Sequence, residues 1–432
     1  MKRMIFIGCL LMTNAVYSQQ TFHSLNSFLH YADTKSISLQ SNSTQEQKAK
    51  KARLAALVSV ADPLQTNNAS FTDNTKLPVT ILPGNAFGGP AGSSKQIQLG
   101  SQYNTAIQNT LDVKLLNLEG WKNLKLSKIN LELTETDSKL NKKSLYENIA
   151  SAYYNIIQLQ EQLKSTQKSS AVSDSLLQIV QNKYAAGQVK QQDVNDSKVN
   201  LLNIQENEKQ ISYLINQNYL SLKILADIPE SESILLDEKM DTALLIKPEV
   251  EKNSLSSSVY KLKEQYALQD YIRTKTTFLP TLSFVANQSL NQYNQNFTIA
   301  GGNWISSNYV GLKLSLPLPT SKTITNKVNA QFDYQLAKQS ASQAAIKEEL
   351  EHQKLNIDWE KAQSQVKTNA EILNLQKDTY AKNKNLYAEG LQSIDRTLNS
   401  LNTLINADYN LISSKVSVLM AQAKIDINNQ IK

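Results

Sequence analysis

One short pattern occurs twice in this chain, each time at the end of an unusually long helical stretch. Asn182-Lys183-Tyr184-Ala185-Ala186-Gly187 and Asn385-Leu386-Tyr387-Ala388-Glu389-Gly390 both read Asn-x-Tyr-Ala-x-Gly, and 203 residues separate Tyr184 from Tyr387. A glycine just past a helix end stops it, because glycine enters the left-handed conformation without a Cβ penalty. Each copy therefore predicts the turn of a long helical hairpin, and two such hairpins imply an internal duplication. A Tyr-x-x-Gly match also fits any ordinary helix end. Its weight depends on whether the rest of the chain repeats at the same offset.

The helical stretches are extreme in length. Residues 114–185 hold no proline and one glycine, Gly120, and Leu145, Ile149, Tyr153, Ile156, Leu159 and Leu163 step by three or four. At ~1.5 Å per residue, about 70 residues make a rod of roughly 100 Å, which implies a coiled coil or solenoid. After Gly187 the helix of 190–227 is about half as long, with Leu201, Ile204, Ile211, Ile215 and Leu222 as its buried stripe. The pattern recurs as a long helix over 320–388 and a shorter one over 393–430, whose Leu398, Leu401, Ile405, Tyr409, Ile412, Val416 and Leu419 come close to a heptad seam. Shorter helices are expected over 20–34, 40–60 and 251–276. The glycine and proline counts, 12 and 9, are low for 432 residues, as long helices require.

Between the helices lie two regions of strand character. Around 64–113, Leu77, Val79 and Ile81 share one face, as do Tyr103, Thr105, Ile107, Leu111 and Val113, with Asn109 the polar exception; Asn67-Asn68-Ala69-Ser70 reads as a turn. Around 280–317 the pattern is stronger, and in Tyr309–Pro317 Leu312, Leu314 and Leu316 alternate with Gly311, Lys313 and Ser315. Each half thus runs helix, strand, strand, very long helix, glycine tip, half-length helix. Pro78 and Pro280 lie 202 apart, and Leu111 and Val113 match Leu314 and Leu316 at 203.

The N-terminus reads as an export leader over 1–18: Lys2 and Arg3, then a short apolar core from Met4 to Met12, then Val16-x-Ser18 before a cleavage point. The single cysteine, Cys9, falls inside it, too early for a lipoprotein box, so the mature chain has no thiol chemistry. No later stretch is apolar enough for a transmembrane helix. Closed β-barrels are the other way to cross lipid. The formal charge of +7 is spread among acids along helical surfaces, unlike the clustered pattern of a nucleic-acid reader.

Four strands per chain cannot close a useful barrel, whereas three chains bring twelve. Alternation over 309–317 suits lipid on the face of Leu312, Leu314 and Leu316 and water on the other, with Trp304 and Tyr309 as candidates for an aromatic girdle. The fold class expected is mostly α with a small β part. It combines duplicated α-hairpins forming a helical barrel with four β-strands per chain completing a twelve-stranded trimeric barrel.

Tyr184-Ala185-Ala186-Gly187 followed by Asp193-Val194, Tyr387-Ala388-Glu389-Gly390 followed by Ile394, and the segment from Pro280 to Pro317 resemble the TolC-type outer-membrane-factor family in order and spacing over nearly the whole mature chain. The resemblance implies a homotrimer in the outer membrane with a long periplasmic extension. It would be the passive exit duct of a tripartite efflux pump or type I secretion system, partnered by a periplasmic adaptor and an inner-membrane transporter. It divides the chain into a first repeat (19–227), an equatorial module (228–250) and a second repeat (251–432). It makes Tyr184, Gly187, Asp193, Tyr387, Gly390, Asp395 and Arg396 the periplasmic tip and gate, with Asp193 in tip contacts and Tyr387 latching the closed state. Family members carry aspartates six and nine residues after the second glycine; here those positions are Arg396 and Asn399, with Asp395 one residue early. Arg396 either lines a constriction and repels cations or pairs with Asp193 or Asp395, the commoner fate of an arginine at a helical interface.

Other classes fit less well. The three histidines, His23, His30 and His352, begin no metal or triad pattern, and there is no phosphate-binding glycine loop, so neither an enzyme nor a cofactor is expected. Only Met240 and Met420 remain after the leader, so no thioether relay for metal efflux is visible. A periplasmic adaptor would show one hairpin between β-rich domains. A purely structural coiled coil would not need the 309–317 strand.

Overall fold

Long helices follow where proline and glycine are missing, and strands follow where period-two segments are flanked by turns. In the computed structural model, which describes residues 20–240, 248–298 and 302–432, the order is β1 (Gln20–Phe22), α1 (Leu25–Lys35), α2 (Ile37–Val58), β2 (Leu64–Asp73), β3 (Val79–Pro83), β4 (Ser94–Gln98), β5 (Tyr103–Leu116), α3 (Leu118–Ala185), α4 (Gln191–Ala226), β6 (Ile234–Leu236), α5 (Leu255–Thr276), β7 (Thr281–Asn294), β8 (Trp304–Ser315), α6 (Ser321–Ala388) and α7 (Ile394–Gln430). The expected leader with Cys9 and the middle of 228–250 lie outside the described residues.

The duplication is clear in the helices. α3 and α6 are both 68 residues long, α4 and α7 are 36 and 37, and Leu118 and Ser321 start the long pair at the same offset as the two tips. It is looser in the strands. Pro280 immediately precedes β7, whereas Pro78 lies in the connection between β2 and β5, next to the small β3–β4 hairpin. The 202-residue spacing of these prolines therefore does not relate equivalent positions. The strand that pairs with β5 is β2, which contains the Asn67-Asn68-Ala69-Ser70 segment expected to turn; Leu77–Ile81 instead leads into the separate hairpin.

The chain divides into two compact units, one from residues up to Thr44, Thr136–Ser258 and Gln343–Lys432, the other from Gln45–Glu135 and Val259–Ser342. Both sequence halves contribute to each unit. In the first, Ser24 caps α1 by accepting from the Ser27 amide, and α1 buries Leu25, Phe28, Leu29 and Ala32. These pack with Ile149, Tyr153 and Ile156 of α3, which belong to the stripe read from the sequence, with the neighbouring Tyr146, and with Leu222 and Leu236; Leu145, Leu159 and Leu163 of that stripe are half-buried. β1 pairs in parallel with β6. In α7 the seam residues Leu398, Leu401, Ile405, Ile412, Val416 and Leu419 are buried and Tyr409 half-buried. A second face of α7, Val418, Ala421 and Ile425, packs on Trp359 and Ala362 of α6.

The second unit is built on an antiparallel sheet of order β2-β5-β7-β8. Register places Leu314, Leu282 and Leu116 in one cross-strand row, then Leu312, Phe284 and Val113, then Val310, Ala286 and Leu111. The opposite face carries Lys313, Ser283 and Lys114, then Gly311, Val285 and Asp112, then Tyr309, Asn287 and Thr110. β8 ends at Ser315, so Leu316 falls one residue beyond the strand. Trp304 is on the leucine face and Tyr309 on the polar one, so the two do not form one girdle. The aromatic cluster at that end is instead Phe71, Tyr103 and Phe297, with ring centroids 5.3–5.9 Å apart.

Candidate functional site

Two regions carry the candidate residues: the paired tips in the first unit and the sheet in the second.

The tips share one backbone device. Gly187 has φ +72° and Gly390 φ +78°. The Gly187 amide donates to the Tyr184 carbonyl (2.9 Å) and Gln188 to Lys183 (2.9 Å); Gly390 donates to Tyr387 (3.1 Å) and Leu391 to Leu386 (2.8 Å). Both are the paired bonds of a Schellman cap, which satisfies carbonyls the helix end leaves free.

The side chains differ. Tyr184 is 45% exposed, whereas Tyr387 is 4% exposed and packs with Leu176 and Val180 of α3 and Ile394 and Leu398 of α7. Tyr387 thus joins the two hairpins. Its hydroxyl is buried without a hydrogen-bond partner, and its pKa is pushed up by burial and by the charge of Asp193. Lys183 reaches across from the first tip: its Nζ donates to the Ala388 carbonyl at 2.9 Å and lies 5.2 Å from the centroid of the Tyr387 ring. Sequence reasoning missed Lys183. The signal was there, since the second copy has Leu386 at that place and so the lysine is not part of the shared turn.

Asp193 and Arg396 stand at equivalent positions of the two repeats. The Asp193 carboxylate accepts from the Lys190 amide at 2.9 Å, capping the start of α4 with a negative charge where the helix dipole favours one. Arg396 is exposed, and among the described residues neither Asp193 nor Asp395 forms an ion pair with it. Ser393, at the cap of α7, makes no side-chain capping bond; Asp395 supplies the acid of that first turn.

In the sheet, burial is inverted relative to a soluble layer. The edge strand β8 is exposed on both faces, Val310, Leu312 and Leu314 as well as Tyr309 and Lys313. Within the interior strand β7, Leu282, Phe284 and Ala286 on the leucine face are half-buried, while Ser283 and Asn287 on the polar face are buried. There Asn287 donates to the Thr110 hydroxyl (2.9 Å), and Lys313 pairs with Asp112 (3.5 Å). Both outer strands, β2 and β8, leave an edge unpaired. No helix among the described residues is long and apolar enough to cross a membrane, and no group of three or more His, Cys, Asp or Glu among them is placed to hold a metal.

Comparison with solved structures gives the same fold repeatedly. The outer membrane protein VceC of Vibrio cholerae superposes with a TM-score of 0.77 at 16% identity, over 94% of this chain and 95% of that one. The CmeC outer membrane channel of Campylobacter jejuni gives 0.74 at 16% identity, over 94% and 85%. The MtrE outer membrane channel of Neisseria gonorrhoeae, in its open state, gives 0.67 at 12% identity, over 94% and 88%. No family model and no curated protein sequence matches the chain.

Proposed function

We propose that this chain, which has the TolC-type outer-membrane-factor fold, is one protomer of a trimeric outer-membrane channel that serves as the exit duct of a tripartite export system. The observation that carries the reading is the inverted sheet. A sheet whose interior strand β7 buries Ser283 and Asn287 more deeply than Leu282, Phe284 and Ala286, and whose β8 continues the apolar face with Val310, Leu312 and Leu314, suits an apolar surrounding and a wet interior. Its two free edges are 10 and 12 residues long. Long exposed edges invite pairing, and in lipid every backbone group must be paired. Joining β8 of one copy to β2 of the next satisfies both edges, and three copies close a ring of twelve strands. Exposed apolar residues along α6, among them Ile324, Phe332, Leu336, Ile346 and Leu350, likewise call for neighbouring copies.

The tips would be the mouth that an adaptor engages. Lys183 and Tyr387 hold the two hairpins of one protomer together there, Asp193 caps the start of α4, and Arg396 remains free to meet a neighbouring protomer, an adaptor or the permeating ion. Supporting this placement are the export leader expected over 1–18 and the outer-membrane relatives in fold. Cargo would be chosen by the transporter, so no residue of the duct need recognise it.

The test is reconstitution. Purified protein should migrate as a cross-linkable trimer and conduct ions in a planar bilayer. Strand-edge cysteines in β2 and β8 should form disulfides between protomers. A monomer without conductance would overturn the reading.

A further inference from the structure

On the leucine face of the sheet, one cross-strand row carries a carboxamide on every strand and breaks the apolar pattern of β5, β7 and β8; on β2 the row below already holds a carboxamide, Gln65, at the sheet edge. Asn67 of β2 is opposite Asn109 of β5, Asn109 opposite Gln288 of β7, and Gln288 opposite Asn308 of β8. Four carboxamides therefore cross the whole sheet on the face that, in the rows below, presents Val310, Leu312 and Leu314 with their neighbours. No side chain among the described residues hydrogen-bonds to any of these four amides. A depression bounded by Leu111, Ala286, Val310 and the edge residue Gln65 on one side and Asn109, Gln288 and Asn308 on the other follows this row.

A carboxamide carries two donors and an acceptor with two lone pairs. Placed in hydrocarbon with no partner, each loses its hydration and gains no hydrogen bond in return. Twelve around a ring would be prohibitive. The row must therefore meet something polar from outside the protein.

Chain geometry says where that is. Leu316 and Leu318 continue the apolar face past β8, and each precedes a proline, which holds it extended. From Leu318 to Asn308 is a span of ~10 residues; at about 3.4 Å per residue and a tilt of about 40° it rises roughly 25 Å, the height of a barrel's apolar band. Counted from Leu314 instead, a band of the same height would end at Trp304 and leave the amides at mid-depth.

We propose, resting on the channel reading above, that the row Asn67–Asn109–Gln288–Asn308 is the contact surface for lipid headgroups at the strand ends away from α6. The hydrocarbon ends at that row, and Trp304 with the Phe71–Tyr103–Phe297 cluster stands within the headgroup layer. The row is uncharged and both donates and accepts. Its occupant is the hydroxyl- and phosphate-bearing part of a lipid, not a cation or an anion alone.

The sole cysteine, Cys9, lies in the expected leader, so single cysteines can be placed in a Cys9→Ser background. Trimers carrying Leu312→Cys, Asn308→Cys or Trp304→Cys are labelled with a fluorophore and reconstituted in phosphatidylcholine vesicles. The vesicles contain nitroxide lipid labelled either at the headgroup or at acyl carbon 12. The expected result is at least threefold stronger quenching by the acyl nitroxide at position 312, and by the headgroup nitroxide at 308 and 304. Acyl quenching dominating at 308, with the headgroup nitroxide effective only at 304, overturns the proposal, as does no quenching by either lipid at 308. No lipid quenching at 312 overturns the channel reading itself. In a second arm, Gln288→Leu with Asn308→Leu should move the 304 label toward the acyl quencher; an unchanged ratio shows that the amides do not set the boundary.

Discussion

The two tips have the same backbone and opposite surroundings. Gly187 and Gly390 adopt nearly the same φ and close the same pair of hydrogen bonds. Yet the first tyrosine is open to solvent and the second is sealed against α3 and α7. At the next equivalent position one repeat has an aspartate bonded to a helix start, and the other an exposed arginine. Duplication has kept what the turn needs and released everything the turn does not use. The second tip then became the packed joint, and the first became the arm that reaches across to it through Lys183.

The strongest way to break this comparison is to truncate both tyrosines. Removing a buried aromatic costs about 3–5 kcal/mol, whereas exposed substitutions stay within about 0.5 kcal/mol. Tyr387→Ala should raise amide hydrogen exchange across 176–180 and 394–398 by at least tenfold and increase the open probability in bilayers. Tyr184→Ala should leave both nearly unchanged. Equal responses would mean that the asymmetry does not matter to the joint.

The shared backbone predicts the opposite, a matched pair. A Cβ at either glycine meets nothing within 4 Å, so only the positive φ is strained. Gly187→Ala and Gly390→Ala should each cost about 1–2 kcal/mol of local stability, read as loss of exchange protection in the last turns of α3 and α6. A large difference between them would show that one tip is held by contacts across the tips more than by its own cap.

How much of this could be read from the sequence depends on how local the cause is. The long helices and their glycine stops were legible because proline, glycine and three-to-four spacing act within a few residues. β2 was not: its Asn67-Asn68-Ala69-Ser70 has turn chemistry, and it is a strand only because β5 offers it a ladder. The opposite faces of Trp304 and Tyr309 could have been read from parity alone. The row of four amides could not, because it depends on register between strands distant in sequence. Nor could the burial of Tyr387 and exposure of Tyr184, which are set by packing between hairpins.

Capping gives a smaller effect. Asp193→Ala removes the bond to the Lys190 amide and should cost about 1 kcal/mol at the start of α4. At the equivalent place, Arg396→Asp puts an acid where the dipole of α7 favours one and should gain about 0.3–1 kcal/mol. Thermal melts would show opposite signs. The same Arg396→Asp variant should raise cation preference in bilayers if Arg396 lines the permeation path; unchanged selectivity would assign it to a contact with a neighbour.

The smallest effect at neutral pH, and the most specific, belongs to the Tyr387 hydroxyl. Burial without a partner, reinforced by Asp193, raises its pKa above the ordinary value of 10.0. The folded joint therefore holds this proton more tightly than the unfolded chain does. Its contribution is fully present below about pH 10 and is lost as the pH rises through the raised value. Exchange protection across 176–180 and 394–398 should hold up to about pH 10 and decline beyond it. Tyr387→Phe keeps the ring, removes an unsatisfied hydroxyl and should be neutral or slightly stabilising at pH 7. It should also abolish the alkaline decline. If the decline persists in Tyr387→Phe, another group loosens the joint, and the buried tyrosine is packing alone.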